Sequence, residues 1–253
     1  MKVQLLRHAT LLVTINGKRI LVDPMLGIAG VMPPIANSPN NHRNPLVELT
    51  IQLDFEQDID GVLLTHTHRD HFDDAAAEQI PLNKTILCQP EDEEKLKKLG
   101  FLKIYPISDR LCWEGIIVQR TGGQHGTGEI GTQMAPVSGY ILQAEGELSV
   151  YIAGDSIYCE DVSNALAMYE PNVIIVNAGG ARFTVGDTIT MTAEDVMQVC
   201  EKAPKSTIIA VHMEAINHCL ESRISLRTRL EQEGVMNQVC IPEDGELLTF
   251  LKK

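Results

Sequence analysis

Aromatic side chains supply only 4% of the 253 residues, so aliphatic side chains must build most of the core. Cysteine is sparse and unpaired in sequence: Cys88, Cys112, Cys159, Cys200, Cys219 and Cys240 form no C-x-x-C motif. That argues against a cysteine-type zinc site, and free thiols in a reducing, cytoplasmic setting are expected. No apolar run reaches the roughly 18 residues a membrane span requires. The opening MKVQLLRHATLLV is too short and too interrupted for a signal peptide. Nor is there a run of lysine or arginine, and the net charge is −13, which argues against a groove for nucleic acid. Acidity does not exclude a small anionic substrate, because a bound metal reverses the local field.

What is present is organised as alternating strands and helices over 1–253, read as one domain. KVQLLRH, TLLVTI and RILVD are strands, with Asn16-Gly17 as a hairpin turn between the second and third. Residues 24–50 hold five prolines and four asparagines without a period and form a long loop, a length at which loops commonly act as lids or binding segments. DGVLLT, TILCQ, IIVQRTGG, NVIIVNAGG and STIIAVH are further strands. VSGYILQAEGELSVYIAGDS holds two more, joined at Glu145-Gly146, and the last lies near ELLTFL. Helices are expected at DDAAAEQI, EDEEKLKKL, EDVSNALAMY, TAEDVMQVCEKA and ESRISLRTRLEQEG, the fourth opened by the Thr192/Asp195 pair. GVLLTHTHRDH and TIIAVHMEAINH echo each other, both buried strands that end in histidines, as two similar halves meeting at one site would produce.

Three of the eight histidines fall between positions 66 and 71, in LLTHTHRDHFDDA. His66 and His68, two apart just past a strand, can point to the same side and grip one ion. Asp70 and His71 follow at once and can be aimed at a second. Imidazole and carboxylate are the ligands that borderline divalent metals such as zinc prefer. The bland alternative, a solvated helix start, suits each histidine alone but not the H-x-H-x-D-H arrangement.

That arrangement resembles the signature of the metallo-β-lactamase superfamily. The resemblance spans essentially the whole chain and implies an α+β fold, a four-layer αββα sandwich of two similar halves. It also implies ligands at later strand ends, matched here by His125 in GGQHG, Asp155 in YIAGDS and His212 in IIAVHM. By this resemblance His66, His68 and His125 hold one metal, Asp70, His71 and His212 a second, and Asp155 bridges. Asp70 would also orient the attacking hydroxide. Two divalent ions are implied, zinc by default, with manganese and iron open. The start RHATLLVTINGKRILVDPML and the stretch NAGG…TMTAEDV resemble the branch that includes L-ascorbate-6-phosphate lactonase. His68 occupies a position held by glutamate in the flavodiiron pattern, which favours hydrolysis over redox chemistry.

The expected function is hydrolysis of a small metabolite, anionic ones included, at a lactone, ester, amide or phosphoester bond. A phosphodiesterase or nuclease of the same fold and a non-catalytic metal-binding scaffold are the alternatives, and self-association is left open. Candidate substrate contacts are His8, Arg182, Glu214 and His218. Each has a bland counterpart: a structural histidine for His8, solvated surface roles for the others. His42 and Arg43, in the long loop, are weaker candidates for a phosphate clamp. Asp23, in the DP pair, is read as a structural residue or one that orients a ligand histidine.

Overall fold

A computed structural model describes residues 1–252. Its strands fall into two seven-stranded sheets. The first holds β1 (Lys2–Arg7), β2 (Thr10–Ile15), β3 (Lys18–Val22), β4 (Gly61–Leu63), β5 (Thr85–Cys88) and β6 (Lys103–Pro106). The second holds β7 (Arg110–Trp113), β8 (Ile116–Thr121), β9 (Gly139–Ala144), β10 (Val150–Ile152), β11 (Val173–Asn177), β12 (Thr207–Val211) and β13 (Val239–Cys240). The final strand, β14 (Leu247–Thr249), returns to the first sheet beside β1. Apart from β14, the strands of each sheet lie in chain order. Each also starts antiparallel and turns parallel: β3, β4, β5 and β6 pair parallel in the first, and β10 to β13 in the second. The internal echo is therefore topological as well as sequential.

Period-two alternation sorts the side chains into layers. On β12, Ile209 and Val211 face the other sheet, whereas Ile208 and Ala210 face outward onto helices. The inter-sheet core joins Val3, Leu5, Val13 and Leu63 of the first sheet to Val118, Leu142, Ile152 and Ile175 of the second. Ala76 of α1 (Asp74–Gln79) and Leu96 of α2 (Glu93–Lys98) cover the outer face of the first sheet. After α3 (Gly128–Met134) come α4 (Glu160–Tyr169), α5 (Ala193–Lys202) and α6 (Arg223–Gln232), which cover the second. This is the expected αββα sandwich.

Local signals act as read. Asp73 caps α1 by accepting from the Ala76 amide, and Thr192 and Asp195 form a capping box on α5. β6, β7, β13 and α3 are additions to the sequence reading. The long loop carries no strand, only an isolated bridge between Met32 and Asn44. It is nevertheless held tightly. The fully buried Arg7 guanidinium donates to the carbonyls of Met25 (2.6 Å), Gly27 (2.9 Å) and Val47 (3.1 Å), near both ends of the loop.

Candidate metal centre

The strands that enclose the inter-sheet core stop at one edge of the sandwich, and the titratable residues come from the turns beyond them. β1 runs into His8, β3 into Asp23, β4 into the His66–His71 segment, β10 into Asp155 and β12 into His212. His125 lies past β8. Three of these turns adopt left-handed backbone at a non-glycine residue: His8 (φ 62°), Asp23 (φ 44°) and His212 (φ 72°). Each such residue costs about 1–3 kcal/mol and persists only where its surroundings over-determine it. Gly154, at φ +67° just before Asp155, has no room for a side chain, since a Cβ there would lie 2.7 Å from the Ser138 carbonyl.

The side chains gather into ligand-sized groups. His66, His68 and His125 form one, His8, Asp70, His71 and His212 a second, and His66, His71 and Asp155 a third that joins them. Within each group the donor atoms lie within 4.8 Å of one another. His68 is half-buried and the rest are buried. Asp155 stands between the first two groups. Its Oδ2 is 3.9 Å from His66 Nε2, 3.5 Å from His125 Nε2 and 3.2 Å from His71 Nε2, and its Oδ1 is 3.2 Å from His212 Nε2.

Outer hydrogen bonds set which ring nitrogen faces inward. Asp23 accepts from the Thr65 amide (2.8 Å) and the Thr65 hydroxyl (2.6 Å), and His71 Nδ1 donates to it at 2.9 Å. Because the Thr65 hydroxyl donates to Asp23, its oxygen accepts from His66 Nδ1 at 3.0 Å. His125 Nδ1 donates to the Ile189 carbonyl at 2.7 Å. His212 Nδ1 faces the Cys219 sulfur at 3.5 Å. Asn177 donates to Asp155 Oδ1 at 2.6 Å. With Nδ1 engaged outward, the Nε2 atoms converge. Those of His71 and His212 face each other at 3.2 Å, and that of His66 is buried with no hydrogen-bond partner.

Such a set of inward lone pairs and two carboxylates lacks positive charge. Protons can supply it: despite burial, Asp155, Asp70 and Asp23 push His71 up to about 10, and His212 is likewise raised against burial by Asp155. Burial instead depresses His66 well below its ordinary value, with His71 and His68 adding to the effect, and takes His125 down to about 4. Asp70 and Asp155 stay well below the usual carboxylate range despite burial, held there by the neighbouring histidines. A divalent cation answers the same need without protons, and the donors are the imidazole and carboxylate types it selects. The residues present therefore fit a metal.

Asp23 orients a cluster histidine, as one of its two expected roles. His8 joins the second group, with Nε2 3.3 Å from Asp70 Oδ2. The other three candidate substrate contacts belong to none of the ligand groups. Glu214 is engaged elsewhere: its carboxylate accepts from the Arg223 amide (2.9 Å) and the Arg223 guanidinium (2.5 Å). Arg182 is exposed, and its amide donates to the His218 carbonyl. The His218 ring is buried and packs toward Phe183 at 6.1 Å. His42 and Arg43 are exposed, and Arg43 braces its own loop by donating to the Gly30 and Val31 carbonyls, so it is not free as a phosphate clamp. Sequence reasoning missed Thr65 and Asn177. Thr65 adjoins the expected ligand His66 and Asn177 ends β11, so a polar residue at the C-terminal end of a buried strand is the signal that could have found them.

A cavity of about 190 Å³ opens on the cluster at Asp70. Met32, Pro33, Pro34, Ile35, Ala36 and Asn44 of the long loop form most of its wall, with Ile216 opposite. Arg69 also lines it, but its guanidinium pairs with Asp74.

This sandwich, with histidines and aspartates converging at one edge, defines a metal-dependent hydrolase of the metallo-β-lactamase fold. Residues 2–212 match the family model described as a beta-lactamase superfamily domain, and the chain belongs to that family. It is 36% identical to UPF0173 protein YddR of Bacillus subtilis, over 99% of this chain and all of that one. Two solved structures superpose with a TM-score of 0.94, each alignment covering 99% of both chains. One is an isothiocyanate hydrolase from Delia radicum gut bacteria, 34% identical. The other is a possible metal-dependent hydrolase from Veillonella parvula, 33% identical. No helix among the described residues is long and apolar enough to cross a membrane.

Proposed function

We propose that the chain is a dinuclear hydrolase of small, neutral, apolar electrophiles, with organic isothiocyanates as the substrate class. His66, His68 and His125 hold one ion, and Asp70, His71 and His212 the other. The observation that carries the dinuclear reading is Asp155, whose two oxygens address histidines of both groups at 3.2–3.9 Å. Zinc is the metal a histidine-rich site takes by default, with manganese and iron as competitors. When bound, such ions activate water near neutral pH and polarise an electrophile.

The chain's own residues supply the rest. Asp70 is the cluster member that also lines the cavity, so its carboxylate is placed to orient an attacking water and take its proton. The cavity wall is mostly apolar, and its one cation, Arg69, pairs with Asp74. A neutral substrate therefore suits it better than an anionic metabolite, and 190 Å³ admits only a small one. Hydrolysis of R–N=C=S by one water yields the amine R–NH2 and carbonyl sulfide. The isothiocyanate hydrolase at 34% identity supports this class.

The test is amine and carbonyl sulfide release from short alkyl and benzyl isothiocyanates by metal-loaded protein, beside simple esters, lactones and phosphodiesters. Amine release that falls at least ~100-fold in Asp70→Asn is the expected result. Turnover confined to esters, lactones or phosphodiesters would overturn the isothiocyanate class. Absence of turnover on the whole panel would favour a scaffold.

A further inference from the structure

His8 directly follows β1 on the first sheet, and the residue is 1% exposed. It meets ligands from both halves of the fold. Its ring Nε2 lies 3.3 Å from Asp70 Oδ2, in the segment that follows β4. Its carbonyl accepts from the His212 amide at 3.0 Å, after β12 of the second sheet. Its ring also lies on the His212 ring, with centroids 3.6 Å apart and planes 37° from parallel.

Proximity alone would make His8 a fourth ligand of the second group. Ring geometry says otherwise. Two imidazoles bound through Nε2 at about 2.0–2.1 Å to one tetrahedral ion hold their centroids roughly 5 Å apart. The proposed co-ligands lie nearer that spacing: His71 and His212 are 5.2 Å apart, His68 and His125 5.4 Å and His66 and His125 5.7 Å, with His66 and His68 the closest pair at 4.4 Å. At 3.6 Å, His8 and His212 would have to approach a common ion at an acute angle. His8 lies over His212 and not beside it.

We infer that His8 is a positioning residue that clamps the second metal site across the two sheets, donating Nε2–H to Asp70 and covering one face of His212. An ionised carboxylate only accepts hydrogen bonds, so the tautomer with hydrogen on Nε2 is the one that serves. That nitrogen then has no lone pair to offer a metal. Removing the clamp frees Asp70 and His212, the two second-site ligands contributed by opposite halves of the fold, and leaves the His66, His68 and His125 group untouched. The inference rests on the dinuclear reading above.

The test is cobalt(II) titration of the full chain, read by stoichiometry, by the affinity of each equivalent and by visible spectrum at saturation. His8→Gln keeps a donor without the ring, His8→Phe keeps a ring without the donor, and His8→Ala removes both. Expected are two equivalents in the unmodified protein and an unchanged first equivalent in every variant. The second equivalent should weaken about 10–100-fold in His8→Ala and by less in the other two. Saturated variants should keep the parent band positions, because no ligand has been removed. If His8→Ala fails to fold, the Gln and Phe variants report the same quantities. Parent-like affinity for the second equivalent in all variants would overturn the clamp. A shifted spectrum at saturation would overturn it in favour of direct ligation. A single equivalent in the unmodified protein would instead sink the dinuclear reading beneath it.

Discussion

At the residue scale, Asp23 carries more than its place outside the histidine cluster suggests. One carboxylate holds the Thr65 amide, the Thr65 hydroxyl and His71 Nδ1, so it sets the backbone before the cluster and the ring orientation within it. Asp23→Ala would strand three buried donors. Its expected cost is about 2–4 kcal/mol of stability, with a roughly 10–100-fold loss of affinity for the second metal equivalent. Thermal unfolding and metal titration check this, and unchanged values in both would contradict the role. Which residues could be read from the sequence follows from how local each interaction is. His66, His68, Asp70 and His71 are neighbours in the chain, and their chemistry is visible as a string. His125, Asp155 and His212 are each an ordinary strand-end residue alone, and became candidates only through resemblance and order. Glu214 illustrates the limit. Its partner Arg223 is nine positions away, across a turn whose path the sequence does not reveal.

At the element scale, the 24–50 loop behaves as a fixed wall. Asn217, buried at the far side, holds it with one side chain: Oδ1 accepts from the Ile35 amide (3.0 Å) and from Asn44 Nδ2 (2.8 Å). Its Nδ2 donates to the carbonyls of Asn40 (2.8 Å) and Ile35 (3.3 Å). Because Ile35 and Asn44 line the cavity at Asp70, loosening them should act on substrate binding before chemistry. Asn217→Ala is expected to raise KM by about tenfold with kcat within about twofold, and to increase hydrogen exchange over residues 33–44. An equal fall in kcat and kcat/KM with unchanged exchange would contradict the anchoring role. The loop's existence was plain from its prolines and asparagines. Its anchoring was not, since Arg7 and Asn217 lie outside it in the chain. The missed elements share a cause: they bury little and so show weak periodicity. β6 and β7 are outer strands with exposed residues, β13 is two residues long, and α3 contains Gly128 and Gly131 and buries nothing fully.

At the scale of the whole molecule, two sheets of like construction meet along an apolar core, and the proposed metal sites sit where they abut. The repeated strand-then-histidine pattern foreshadowed this arrangement. The strand order could not be read from it, because pairing partners such as β14 and β1 lie at opposite ends of the chain. Both halves contribute to the cluster, and Asp155 is the residue that links its groups. The account's central claim is that this one carboxylate joins two metal positions. Metal content by elemental analysis, on protein loaded with zinc and freed of excess, tests it most directly when unmodified protein is set beside Asp155→Ala. The account predicts two equivalents per chain in the first and a clear loss in the second, with both folded. Less than half an equivalent in the unmodified protein, unchanged by the substitution and not restored by zinc, manganese or iron, would contradict it.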